Sequence, residues 1–460
     1  MAESRRSVDV AVLTGDPKKA IRMMFIPMTV ALLVQTINNV VDTMWVTGLG
    51  PDALAALGVT FPIFFILIAV GSGLGVGSSQ AIARRIGAKD SAGADKAAVQ
   101  GLAMIFVSGI AMTVTMSLVA PTLMGMIGGE GIETECLAYA MPIIIGSTIL
   151  FLSSYFSSLL RSEGSAKRSM NIQILGAGVN IVLDPIFIFT FGWGIAGAAI
   201  ATVVAMTIPV IISLYWFKIK KDTYLKLSFK GFRFDPVIIK DILKVGIPAF
   251  MEMVLVAVIS MFMNIIIFGV GGTYAIAIYT SGWRIIEILM IPLMGISWAI
   301  VPVCAANYGA DNYDGLKTAF YYSIKMMVVV MTAMTIVSYV FADTLCILFS
   351  YSESTEVLRS DMADMLRVMV LFLPFVAVGF IGSGFFQSLG LGMKSLVSTV
   401  IRNVMQIPIC LYLATFGILS YLWWGIMVSE VVGSLIMGLW SMLILRELLK
   451  TRAVAKGRRV

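Results

Sequence analysis

Two aspartates stand where a charge is costly. Asp42 and Asp184 each lie deep in an apolar run, with no Lys or Arg close by in sequence. An acid carried into a bilayer costs about 3 kcal/mol on insertion scales. The nearest basic residues before them are Arg22 and Arg168. On helices those separations are about 30 Å and about 24 Å, so the two carboxylates reach similar depths. Each heads a polar stripe. Gln35, Asn38, Asn39 and Asp42 fall at i, i+3, i+4 and i+7, on one helix face. Gln173, Gly176, Asn180 and Asp184 share a face in the same way. Ser147, Ser154 and Ser158 in the fourth apolar run and Thr202 in the sixth add hydroxyls. Two chemistries suit such a set. Neighbouring carboxylates in a low dielectric can share a proton, or Asp, Asn and Thr oxygens can hold a hard monovalent cation. Either ion would compete with an organic cation for the same negative charge. Mutually exclusive binding is the basis of exchange, and linkage makes it reciprocal. The bland alternative is hydrogen-bonding glue between helices. The chain has no histidine, so proton transfer would fall to carboxylates.

The elements that position these residues follow from composition. Of 460 residues, 59% are hydrophobic and 13% are charged. About 25% charged residues would be usual for a soluble domain. Inside a bilayer the backbone must bond to itself, which leaves helices or a closed barrel. The apolar runs are long and lack the period-two alternation of barrel strands. The expected fold class is an all-α membrane protein with twelve transmembrane helices in two pseudo-symmetric six-helix bundles. The spans are read at 23–47, 54–83, 97–120, 136–160, 170–190, 195–217, 245–270, 274–306, 319–342, 365–389, 396–416 and 422–445. The polar N-terminal segment is not a cleavable signal, so the first span is expected to stay as an anchor. Cys136, Cys304, Cys346 and Cys410 sit at no ligand spacing and read as small core residues, with no metal and no disulfide framework.

Charge placement orients the chain. Of the 33 Lys and Arg residues, all but Arg284, Lys325, Arg359, Arg367 and Arg402 fall in the N-terminal segment, the links after even-numbered spans, or the tail. Both termini are therefore expected in the cytoplasm of a cell whose plasma membrane the chain crosses. The longest outer loops are acidic, with Glu130, Glu133 and Glu135 in one and Glu353, Glu356, Asp361 and Asp364 in the other. The basic patches read as topology and anionic-lipid contact, not nucleic-acid binding. The chain also repeats itself. Asp16-Pro17 and Pro27 recur as Asp235-Pro236 and Pro248. Arg85–Asp90 recurs as Asn307–Asn312, and Arg161–Gly164 as Gln387–Gly390, at an offset that grows only slightly across the half. An even number of spans per half makes this a parallel repeat, as in alternating-access carriers. The division is 1–217, helices 1–6; 218–244, a cytoplasmic link; and 245–460, helices 7–12.

The second half does not copy the acids. Met263 or Asn264 repeats Asp42, and Cys410 falls near the repeat of Asp184. Ion coupling is therefore expected in the first half alone. Arg284 and Glu287 are spaced to pair, Lys325 and Arg402 lie nearer the cytoplasmic side, and Glu252 and Glu430 are left over. Pro27 frees a carbonyl early in the first span, where a bend could track the state of Asp42. The 31 methionines suit a surface that accepts many shapes, and equally an ordinary membrane core.

These residues resemble the multidrug and toxic compound extrusion (MATE) family. The resemblance rests on Gln35–Asp42 followed by Gly48-Leu49-Gly50, on the turns Ile82–Asp90 and Leu160–Gly164, and on Asn180–Pro185. It spans nearly the whole chain and looks closest to archaeal members of the branch named for DNA-damage inducibility. It implies a V-shaped pair of six-helix bundles that exports cationic, amphipathic drugs against Na⁺ or H⁺. It also implies a first-lobe ion site of Asp42, Asn180, Asp184 and Thr202, which would hold the metal if Na⁺ is the ion. Departures are Asn38 where a Tyr is common, Ser153, Ser154 and Ser157 where the fourth helix carries Asn, and Glu252 only one turn past Pro248, where other branches place a Glu after two turns. A second-lobe ion site of that kind is therefore not expected.

The expected function is secondary active export. Gln35, Asn38, Asn39, Ser154, Ser157 and Gln173 are candidate substrate contacts, and Pro27 is the conformational element. Small organic cations and the bilayer are the expected partners, the chain is expected to act as a monomer, and no cofactor is expected beyond the coupling Na⁺ or H⁺. The rival transporter is a lipid-linked oligosaccharide or lipid flippase, whose anionic cargo suits an acidic site poorly. A membrane enzyme would need a reactive constellation, and the chain has neither histidine nor a nucleophile elbow.

Overall fold

The computed structural model describes residues 10–127, 129–347 and 356–455. Arg5, Arg6, Glu353, Lys456, Arg458 and Arg459 lie outside them, as does the side chain of Glu130. Among the described residues the chain is almost wholly helical and has no strand. In chain order the spans are α1 (Pro17–Thr47), α2 (Pro51–Gly87), α3 (Ser91–Ile127), α4 (Gly129–Ile145 and Ser147–Ser162), α5 (Ala166–Pro185) and α6 (Gly194–Leu214). The long helical run Pro236–Gly309 breaks at Gly272, whose φ of 62° and ψ of −150° no side-chain-bearing residue adopts readily. It therefore supplies two spans, α7 (236–271) and α8 (273–309). The rest are α9 (Tyr313–Val340), α10 (Arg359–Met369, continued in Leu373–Ser388), α11 (Gly392–Ala414) and α12 (Leu419–Ala455). Counted this way, with the two pieces of α4 bent by 52°, the described residues hold twelve crossings, each long enough for the hydrocarbon layer. The four cysteines are buried, and among the described residues none forms a disulfide.

The repeated motifs are the punctuation of these helices. Asp16 and Asp235 are N-caps. Asp16 Oδ1 accepts from the Lys18 N–H at 3.1 Å, and Asp235 Oδ1 accepts from Val237 N–H at 3.0 Å. In each case a proline follows at the first helical position, where its missing N–H costs nothing. Lys89 and Asp311, with φ of 58° and 53°, close α2 and α8 in the left-handed region. Asp90 then caps α3 through Gly93 N–H at 2.8 Å, and Asn312 caps α9 through Gly315 N–H at 3.0 Å. Gly164 and Gly390 turn with φ of 89° and 74°. Asp235→Ala is expected to cost about 1 kcal/mol, as for a lost N-cap. Thermal unfolding of the purified protein checks this, with Asp235→Asn, itself a good cap, expected to melt as the parent does.

Two compact units form. The first runs to Phe250 and includes Ala305–Asp311; the second comprises Met251–Cys304 and continues from Asn312. The division thus falls inside α7, not in the link before it. That link has no regular structure between Lys221 and Asp235, yet carboxylates of the first unit fasten its backbone. Glu163 Oε2 accepts from Tyr224 and Leu225 N–H at 3.0 and 3.2 Å, and Asp95 Oδ1 accepts from Lys226 N–H at 2.8 Å. Buried Asp222 takes both guanidinium arms of Arg168, at 3.1 and 3.2 Å, and Lys220 at 3.1 Å. Charge-assisted bonds of this kind replace the ladder that a helix or strand would give.

Candidate functional site

In the first unit α1 packs along α5, and α5 along α6. The stripe on α1 therefore meets the stripe on α5. Asn38, which is buried, donates from Nδ2 to Asn180 Oδ1 at 2.8 Å. Asn180 in turn donates from Nδ2 to Asp184 Oδ1 at 2.7 Å. Asn180 and Asp184 are fully enclosed, at 1% and 0% exposure. Asp42 lies one turn beyond Asn38 and within electrostatic range of Asp184. Thr202 on α6 spends its proton on the Ala198 carbonyl at 3.1 Å, so its oxygen is left as an acceptor.

Three acceptor oxygens of this cluster have no donor. Asn38 Oδ1, Asp42 Oδ1 and Asp184 Oδ2 are each buried without a hydrogen-bond partner among the described residues. A buried acceptor left unmade costs about 1–3 kcal/mol, and more when charged. Three together describe a place that a positive species would complete. Among the described residues no three His, Cys, Asp or Glu side chains gather as for a transition metal. The donor set is hard oxygen, which suits a proton or an alkali cation.

Directly after Asp184 and Pro185 the helix loosens into a π-helical turn, Ile186–Thr190. Such turns insert a residue into the helical register and recur at functional sites. Tyr139, on the first piece of α4, is buried and lies within electrostatic reach of both Asp42 and Asp184. Nothing in its spacing marks it out, because a tyrosine in an apolar span reads as core.

The proposed substrate contacts divide. Asn38 belongs to the carboxylate cluster. Ser157 and Gln173 belong to a second cluster nearer the Lys- and Arg-rich face. There Ser157 Oγ and Ser169 Oγ are 2.6 Å apart, Gln173 donates to Ser157 at 3.0 Å, and Arg161 donates to Ser157 at 2.9 Å and to Ser158 at 2.6 Å. Gln35 and Asn39 are exposed, Ser154 is half-buried, and Pro27 lies within an unbroken α1. Arg161, expected at the membrane surface, is instead enclosed by hydroxyls of its own helix.

The second unit repeats this second cluster. Ser383 and Ser395, which take the places of Ser157 and Ser169 in the internal repeat, pair at 2.7 Å. Gln387 replaces Arg161. The charge is now half-buried Glu252, which accepts from Ser383 at 3.4 Å and Gln387 at 3.5 Å, with its other oxygen buried and unpartnered. Among the described residues Arg284 and Glu287 form no ion pair; Arg402 pairs with Glu430 instead, at 3.8 Å, beneath the ring of Phe380. An i, i+3 spacing permits a pair but does not hold the two side chains together. A cavity of about 400 Å³ is lined by Leu102, Phe106, Leu152, Phe156, Val210 and Phe229 among others, all apolar, with neither Asp42 nor Asp184 in its lining.

The MatE family model matches residues 27–186 and 248–412, one block in each half. The multidrug export protein MepA of Staphylococcus haemolyticus is 26% identical over 422 residues, covering 90% of this chain and 91% of that one. The crystal structure of MATE in complex with MaL6 matches with a TM-score of 0.93 at 38% identity, over 96% of this chain and 99% of that one. A MOP superfamily transporter from Pyrococcus furiosus, for which reverse polarity of the binding pocket is said to suggest a different function, matches with a TM-score of 0.92 at 38% identity, over 96% and 98%. With both halves matched and likeness along nearly its whole length, the chain belongs to the MatE family of multi-pass membrane transporters.

Proposed function

We propose that the chain is a secondary active exporter that exchanges cationic, amphipathic small molecules for inward-flowing Na⁺ or H⁺ at Asp42, Asn180, Asp184 and Thr202. The observation that carries this reading is the set of three buried, unpartnered oxygens on Asn38, Asp42 and Asp184. A single positive charge satisfies them, and an organic cation nearby competes for it. Gln35, Asn39 and Ser154 are the contacts left to such a substrate, and Pro27 is where α1 would bend as the site empties. Both termini face the cytoplasm of a plasma membrane, on the Lys- and Arg-rich side, and the chain works as a monomer. The likeness to MepA, a multidrug export protein, supports export of drugs.

A second reading is translocation of a lipid-linked oligosaccharide or another lipid; for the similar Pyrococcus furiosus transporter, pocket polarity is said only to suggest a different function. An anionic headgroup would meet two carboxylates here, which favours the first reading. Efflux of a fluorescent organic cation from proteoliposomes, with Na⁺ and pH gradients imposed separately, decides between them. At least one gradient is expected to drive efflux several-fold above leak. Efflux indifferent to both would remove the exchange reading.

A further inference from the structure

At the Lys- and Arg-rich face, the first unit contains a seam made almost wholly of backbone. Near the end of α2, Gly87 lies against Ala306 of α8, and Gly309 of α8 lies against Arg84 of α2. A Cβ on either glycine would collide with the opposing carbonyl oxygen. The two contacts are one contact made twice. Ala306 takes the place of Arg84 in the internal repeat, and Gly309 takes that of Gly87, so the repeat exchanges one pair for the other. Further along α2 the same device meets α7. A Cβ on Gly73 would lie 2.6 Å from the Gly246 carbonyl oxygen, and one on Gly77 would strike the carbonyl oxygen of Ile242. Small residues let helix backbones approach this closely in membranes.

One ion-pair cluster closes the seam. Asp241, at the start of α7, accepts from both Arg84 and Arg85, the latter at 3.0 Å. Arg85 also donates to its own helix at Ala81, at 2.8 Å. Side-chain exposures of 28%, 15% and 21% for Arg84, Arg85 and Asp241 leave the cluster open to water. Such a pair is made and broken cheaply compared with a buried one. The glycine contacts also hold no interlocked side chains, so parting them drags no rotamers through a barrier. These are the properties of a surface built to separate.

We propose that this seam is the inner gate of the transporter, with Asp241, Arg84 and Arg85 as its latch and the Gly87/Gly309 crossing as its plane of parting. The proposal rests on the exporter reading for its purpose, since an exchanger must open toward the cytoplasm once per cycle. Its test does not rest on that reading. Ala306 is fully buried, so an Ala306→Cys reporter, in a background with Cys136, Cys304, Cys346 and Cys410 replaced by Ser, reacts with a water-soluble maleimide only when the seam opens. In full-length protein reconstituted in nanodiscs, Asp241→Asn is expected to raise the labelling rate about tenfold or more. The charge-reversed set Asp241→Arg with Arg84→Asp and Arg85→Asp is expected to bring it back toward the parent rate. Gly309→Val is expected to label fast whatever the charges. A folded Asp241→Asn protein that labels within about twofold of the parent overturns the gate. If labelling responds as expected while efflux ignores both gradients, the gate stands and the exporter reading falls.

Discussion

Asp42→Asn is expected to reduce gradient-driven efflux by about tenfold or more while leaving the fold at least as stable. The two parts have one cause. Asp42 carries a buried oxygen that no donor satisfies among the described residues. Within a helix in the bilayer its charge costs about 2.5–3.5 kcal/mol to insert. Asparagine keeps the shape and removes the charge, so it relieves the cost and with it the means of binding a proton or a cation. A folding role would give the opposite pattern, a lower melting temperature with transport retained in proportion to surviving protein. Proteoliposome efflux and thermal unfolding on the same preparation separate the two. Parent-like efflux from a well-folded variant would end the case for coupling at this residue.

Asn180→Leu should damage both properties. Asn180 stands between Asn38 and Asp184, accepting from one and donating to the other at 2.8 and 2.7 Å. Leucine fills the space and removes both bonds. Asp184 Oδ1 then lacks a donor and Asn38 Nδ2 lacks an acceptor, each at about 1–3 kcal/mol in a buried site. The protein is expected to melt lower. Folded molecules should bind the coupling ion about tenfold or more weakly, because the relay that fixes the positions of Asn38 and Asp184 has gone. Ion-dependent fluorescence or calorimetric titration of the purified variant measures this. An unchanged ion affinity would mean that Asn180 only holds helices together.

The legibility of these features in the sequence followed their range. Asp16-Pro17 and Asp235-Pro236 act within one turn; legible in the sequence as a repeat, they prove in the structure to open α1 and the run that begins α7, ahead of the spans read from residues 23 and 245. The stripe from Gln35 to Asp42 was readable because helical periodicity alone puts those residues on one face. What that face meets is decided by packing, and here local rules stop. The Asn38–Asn180 bond joins two helices that are far apart in the chain. Ser157 and Gln173 shared the expectation given to Asn38, yet they turn to Arg161 and a different cluster. Tyr139 carries no periodic mark, and its nearness to Asp42 and Asp184 depends on how the first piece of α4 packs against α2, α3 and α6. Arg284 and Glu287 show the converse, a good local spacing that tertiary packing left unused while Arg402 and Glu430 met instead.

The paired serines of the two units bear on what the duplication has kept. Ser157 with Ser169 and Ser383 with Ser395 are the same joint between consecutive helices, preserved at 2.6 and 2.7 Å. Beside that joint one half has placed a guanidinium and the other a carboxylate. The halves are therefore alike as scaffolds and opposite in the charge set beside this joint. A chain assembled from the first half twice would keep its hydroxyl joints but enclose two cations and lose Glu252, and one assembled from the second half twice would do the reverse. At this joint duplication has conserved the hydrogen bond and let the neighbouring charge change sign, a divergence that the shared backbone does not reveal.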